Sequence, residues 1–116
     1  IRFFNSDVDN FYRDKYDLVI SNPPYIKFHE INGLDYDVKH YEPKIALNGG
    51  IDGYSKIRLV IKKSSILIKK KGKLFLEVGL NQTRETLNIL KNYGFFTNKV
   101  VKDLANINRC IVSTKI

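Results

Sequence analysis

Asn22, Pro23, Pro24 and Tyr25 place a carboxamide, two stiff rings and an aromatic side chain in one tight stretch. Neither proline has a backbone N–H, so the chain cannot run on through a β-ladder there. The first proline also biases Asn22 away from helical backbone. The residues just before, Asp17-Leu18-Val19-Ile20, form an apolar run stopped by this breaker, which predicts a short buried strand. The four residues therefore sit at the carboxyl end of a strand, where open α/β sheets bind ligands. Such residue types suit a planar amide or amine nitrogen as the group to be held.

Other side chains with chemical potential are placed less tellingly. His29-Glu30 and His40 lack a ligand spacing such as H-E-x-x-H, so a metal is not expected. Cys110 is the only cysteine, which excludes an intrachain disulfide, and its apolar surroundings predict a buried thiol. Glu77 closes a strand at the same sheet edge as Asn22, where a structural hydrogen bond and a catalytic role both remain open. Glu42 is either a solvated loop residue or one that orders its loop. Tyr41 and Tyr54 read as packing residues, and Asp103 and Arg109 as a pair across a hairpin.

The elements that must carry these residues follow from periodicity. Arg2-Phe3-Phe4-Asn5 reads as the tail of a strand and residues 6–11 as a loop. Residues 27–40 have no clean period and are marked as loop by Gly33 and several Asp and Asn residues; loops this long are usually functional. After the turn Asn48-Gly49-Gly50, Asp52-Gly53 can open a helix. Ile57, Val60, Ile61, Ser64, Leu67 and Ile68 define its apolar face. Lys69, Lys70 and Lys71 suit its last turn and Gly72 its stop. Residues 73–79 read as a strand. A helix capped by Asn81 then runs to about Tyr93, carries Thr83, Thr86, Leu87 and Leu90 on one face, and ends at Gly94. Residues 95–103 and 109–115 are two strands joined through Asn106-Ile107-Asn108. Alternating strands and helices predict an α/β fold with a mainly parallel sheet and one antiparallel strand near the C-terminus.

The 116 residues amount to one domain or part of one, and 43% apolar content suffices for a core. No apolar run approaches the ~20 residues of a membrane span, and no signal peptide is visible, so a cytoplasmic protein is expected. The net charge of +8 fits an acidic or nucleic-acid partner. Compositional drift explains it more economically: Lys, Ile and Asn abound, while Ala occurs only at positions 46 and 105. The lysine run has a helix-terminal explanation, and nucleic acid is not favoured as a partner.

Asn22-Pro23-Pro24-Tyr25 resembles the signature of class I S-adenosylmethionine-dependent methyltransferases that modify planar nitrogens. N6-adenine DNA methyltransferases and the HemK/PrmC glutamine methyltransferases share it. Tyr41-Glu42-Pro43-Lys44-Ile45-Ala46-Leu47, followed by Gly49, Gly50, Asp52 and Gly53, resembles the HemK/PrmC segment. Glu77-Val78-Gly79 with Gln82, and Asp103-Leu104-Ala105 with Asn108-Arg109, resemble later parts of the same family. The likeness runs over residues 7–112.

This resemblance implies a partial class I, Rossmann-like sheet. The family's glycine-rich cofactor loop and N-terminal helical domain have no counterpart in residues 1–116, so the chain is expected to be the C-terminal portion of a catalytic domain. The implied activity is methyl transfer from S-adenosylmethionine to the glutamine of a Gly-Gly-Gln motif in a peptide chain release factor. The alternatives are a DNA N6-adenine methyltransferase, which would flip its base onto the same turn, and an inactive split or truncated remnant. The resemblance assigns catalysis to Asn22 and Pro23, substrate binding to Asn22, Pro23, Pro24 and Tyr25, and cofactor contact to Asp7, Val8 and Asn22. In it the Asn22 side-chain oxygen and the Pro23 carbonyl accept the two N–H groups of the target amide, and Tyr25 walls its flat face.

Overall fold

The computed structural model describes residues 1–116, except for the side chains of Lys39 and Lys44. A 3-10 turn at Val8–Asn10 precedes strand β1 (Tyr16–Ser21). Next come a 3-10 segment at Phe28–Gly33 and two short helices, α1 (Tyr36–Tyr41) and α2 (Lys44–Leu47). The remaining elements are α3 (Ser55–Leu67), β2 (Ile68–Glu77), α4 (Thr83–Asn92), β3 (Phe95–Lys102) and β4 (Asn108–Lys115).

The four strands form one sheet in the order β1-β2-β4-β3. β1 and β2 are parallel, as a strand-helix-strand crossover through α3 requires. β4 is antiparallel to both β2 and β3. Three strands thus run one way and β4 alone runs back between two of them, which is the mainly parallel sheet with one reversed C-terminal strand that the sequence predicts. The link from β3 to β4 is short enough to be a hairpin. Asp103 shapes it, accepting the backbone N–H groups of Ala105 and Ile107 and pairing with Arg109 Nε at 3.1 Å.

Helical spacing puts Ile57, Val60, Ile61, Ser64 and Leu67 on the buried face of α3, and Thr86, Ile89 and Leu90 on that of α4. Strand spacing puts Leu74, Leu76 and Val78 in register against them, with Ile111 and Phe95 completing the cluster. Both helices therefore pack on one face of the sheet. Burial of these side chains is the main stabilising term, at about 1.5–3 kcal/mol for each large one. On β1, Val19 faces this cluster while Ile20 stays exposed.

Several local expectations are corrected. Arg2–Asn5 is not a strand: it pairs with nothing in the sheet, and Phe4 instead packs edge-on against Phe11 beneath the Arg13 guanidinium. Lys69, Lys70 and Lys71 are not in a helix, since α3 ends at Leu67 and they belong to β2. Pairing of Ile68 and Lys73 with β1, on either side of them, overrides the helical pattern. Lys69 bridges to Asp17 at 2.9 Å, and the ladder slips between Tyr16 and Leu18 to absorb residues 69–72, with Lys71 at φ +69°. Asn81 is not the cap of α4; it turns the chain at φ +61°, and Gln82 occupies the cap position. Residues 27–40 are not all loop, because the 3-10 segment and most of α1 lie there, with Tyr36 stacked on His40. Tyr54 packs on the core as expected, but Tyr41 is exposed. Cys110 is half-buried rather than buried. No helix among the described residues is long and apolar enough to cross a membrane.

Candidate active site

β1 ends at Ser21 opposite Leu76 of β2, so Asn22 leaves the sheet beside Glu77 and the turn into α4. Asn22 is exposed, Pro23 is buried and Pro24 is half-buried. The turn thus rests on the protein while its carboxamide faces outward. Among the described residues, neither the Asn22 side chain nor the Pro23 carbonyl has a hydrogen-bond partner.

The chain after the turn is held by the segment from Leu47 onward. Ile26 forms an isolated parallel bridge with Asn48. Its N–H donates to the Leu47 carbonyl at 3.3 Å, and its carbonyl accepts the Gly49 N–H at 2.7 Å. A side chain at Gly49 would stand 2.7 Å from the Tyr25 Cα, so the approach requires glycine. Gly53 also presses on this backbone: with φ +77°, an added Cβ would meet the Tyr25 carbonyl oxygen at 2.7 Å.

Tyr25 is half-buried, and its hydroxyl donates to Glu77 Oε1 at 3.3 Å. Burial, reinforced by the charge of Glu77, raises the phenol above its ordinary pKa, so it remains a neutral donor. Arg109 stands nearby, donating to the Val78 carbonyl at 3.3 Å as well as to Asp103. Burial also raises the Cys110 thiol, which removes it as a ready nucleophile.

Three cavities adjoin the stretch from Asn22 to Ile26. A groove of ≈590 Å³ has Asp7, Val8, Asn22, Pro23, Pro24 and Leu59 in its wall. A second pocket of ≈220 Å³ is bounded by Asn22, Pro23, Pro24, Tyr25, Glu42 and Leu47. The prolines and Asn22 are common to both, so the turn is a shared wall of two cavities. A third cleft, ≈500 Å³, begins at Tyr25 and reaches Gly79, Gln82 and Arg109.

The residues singled out from sequence are thus largely gathered. Asp7, Val8, Asn22, Pro23 and Pro24 meet at one groove. Tyr25 does not line that groove; it walls the smaller pocket and the cleft. Glu42 lines the smaller pocket, whereas Tyr41 borders none of the three.

Lys63 was not singled out from sequence, and Gln82 was named there only as part of the family likeness. Lys63 is 4% exposed, donates to the Asp9 carbonyl at 2.7 Å and lies 3.2 Å above the Tyr12 ring. It fastens the Asp7–Asn10 turn to α3, and its spacing from Val60 and Leu67 was the available signal. The other is Gln82, the only glutamine in the chain, buried beneath Tyr25.

The groove's lining combines apolar Val8, Ile45, Leu59 and Val60 with polar Asp7, Asn22 and Lys56. That lining fits a flat heterocycle bearing polar substituents.

The fold has a counterpart in TrmN from Thermus thermophilus, which matches all of this chain and 29% of its own with a TM-score of 0.57 at 18% identity. The architecture is a class I methyltransferase fold. No protein-family model matches the chain. In sequence it is 41% identical over 102 residues to the release factor glutamine methyltransferase of Clostridium acetobutylicum, covering 88% of this chain and 36% of that protein. It is 38% identical over 114 residues to the protein of the same name from Thermodesulfovibrio yellowstonii, covering 97% of this chain and 41% of that one. Over the span they share, the chain is similar in sequence to the HemK/PrmC family. It spans well under half the length of these relatives.

Proposed function

We propose that this chain supplies the amide-holding part of a protein-(glutamine-N5) methyltransferase acting on the Gly-Gly-Gln glutamine of a peptide chain release factor. The observation that carries the reading is the shared wall: Asn22, Pro23 and Pro24 line both a groove and a smaller pocket. A methyl donor in the groove and an acceptor in the pocket would both touch it. The names and sequences of the relatives support the choice of glutamine over adenine.

In this reading, S-adenosylmethionine supplies an electrophilic sulfonium methyl when bound, with Asp7, Val8 and Asn22 as its contacts in the groove. The difficulty lies in the acceptor, because a carboxamide lone pair is delocalised into its carbonyl. The Asn22 side-chain oxygen accepts one N–H of the substrate amide and the Pro23 carbonyl accepts the other. Together they fix the amide plane and present its nitrogen toward the groove. They also stabilise the positive charge that grows on nitrogen as the new N–C bond forms, before a proton is shed. Orientation of this kind contributes up to about 7–11 kcal/mol in well-aligned cases. Among the described residues neither acceptor has a protein partner, and the prolines hold the turn stiff, so little ordering is left for binding to impose.

The test is methyl transfer by the full-length gene product carrying this segment. Radiolabelled S-adenosylmethionine is offered with a release factor and, separately, with double-stranded DNA. Label in the Gly-Gly-Gln glutamine is expected. Label in adenine with none in the release factor would assign the turn to DNA modification, and no transfer to either would favour an inactive remnant.

A further inference from the structure

We infer that Gln82 is a positioning residue for the reactive turn, an inference that rests on the methyl-transfer reading above. Its side-chain amide works at both ends. Nε2 donates to the Tyr25 carbonyl at 3.1 Å and to the Gly53 carbonyl at 3.2 Å, while Oε1 accepts the Gly79 N–H at 2.9 Å. One buried side chain therefore joins the chain leaving the prolines, the turn into α3 and the turn into α4. Gln82 is 7% exposed and stands at the α4 cap position, yet it does not cap that helix with its side chain. The amide is used on the neighbouring segments instead.

The fixing of Tyr25 reaches Asn22 because of what lies between. Pro23 and Pro24 each have a locked φ, so few free torsions separate the Tyr25 carbonyl from the Asn22 carboxamide. Gln82 holds Tyr25 by its carbonyl, Glu77 holds its hydroxyl, and Leu47 holds the N–H of the next residue. A glutamine is needed because the site asks for two donated bonds and one accepted bond from a single planar group. Glutamate can accept but cannot donate, and would face two carbonyl oxygens. Methionine fills the volume and does neither.

Gln82→Glu and Gln82→Met in the full-length gene product test this against a release factor substrate. Gln82 does not border the Asp7–Val8 groove, so the dissociation constant for S-adenosylmethionine should stay within twofold. Expected is a fall in kcat of tenfold or more at that unchanged cofactor affinity. Turnover within twofold of wild type in both variants would overturn the inference. So would a parallel loss of kcat, cofactor affinity and helical signal, which would mark Gln82 as merely structural. Hydrogen–deuterium exchange separates this from the activity itself. Amides of residues 25–28 should exchange at least tenfold faster in Gln82→Met while those in the middle of α4 are unchanged. If wild type transfers no methyl group, the functional reading fails and exchange alone decides the latch: unchanged protection at residues 25–28 would refute it.

Discussion

The Tyr25 hydroxyl donates to Glu77 Oε1 at 3.3 Å, joining two residues 52 positions apart. The bond ties the ring that follows the prolines to the last residue of β2, the strand that β1 parallels. Tyr25→Phe deletes the donor and keeps the ring. Because the bond is long and half-buried, the cost should lie near the low end of the ~0.5–1.5 kcal/mol usual for one hydrogen bond. Urea midpoints of the two proteins measure it. A loss of several kcal/mol would mean that the ring, and not only the hydroxyl, had moved.

Asn22→Ala should abolish the acceptor for one N–H of the substrate while leaving the core untouched, since Asn22 is exposed and bonds to no described residue. Removal of one preorganised electrostatic partner costs on the order of 10²–10³ in kcat. Single-turnover methyl transfer checks this, with circular dichroism to verify the fold. Near-normal turnover would refute the role given to the carboxamide.

Lys63→Met should loosen the turn at Asp7 and Val8 without opening a large cavity. The ammonium's bond to the Asp9 carbonyl and its seat on the Tyr12 ring both disappear. A hydrogen bond made by a charged group is worth about 1.5–3 kcal/mol, so cofactor affinity should fall about tenfold or more. Calorimetric titration of S-adenosylmethionine reads the change. Unaltered affinity would separate the Asp7–Asn10 turn from the cofactor.

Asp103 makes the β3–β4 hairpin sensitive to acid. The Ile107 N–H, helped by Arg109 and the Ala105 N–H, holds its carboxyl below the ordinary aspartate value. Protonation is thus harder in the folded chain than in the unfolded one. The stabilisation is complete above the unfolded value of about 4 and disappears as pH falls through the lower folded value. Denaturation midpoints should therefore fall more steeply below about pH 4 in wild type than in Asp103→Asn. Identical acid limbs would show that the carboxylate contributes nothing there.

Gly53→Ala should be among the more damaging small changes. Its φ of +77° disfavours any side chain, by about 1–2 kcal/mol for an L-residue in left-handed backbone. The new Cβ would also push on the Tyr25 carbonyl and Gln82 Nε2, at 2.7 and 2.8 Å. Thermal midpoints and kcat should both drop. A variant with wild-type stability would mean that this turn yields freely.

Much of this protein was open to reading in one dimension. The breaker after residues 17–20 located the end of β1, because two missing N–H groups stop a ladder whatever surrounds them. The apolar spacing of Ile57 through Leu67 located α3, and Gly94 the end of α4. The motif residues and the family likeness came from local sequence alone. Elsewhere tertiary contacts overrode local preference. Lys69, Lys70 and Lys71 suit a helix end until Ile68 and Lys73 on either side of them pair with β1, and only the folded sheet decides that they belong to β2. Lys63 reads as one more solvated lysine until Asp9 and Tyr12 arrive from 50 residues away. The sequence by itself determined which groups could hold a planar amide. The tertiary structure alone decided that the turn bearing them borders two cavities and that Gln82, Gly49 and Gly53 close on the Tyr25 backbone, because those contacts join segments far apart in the chain.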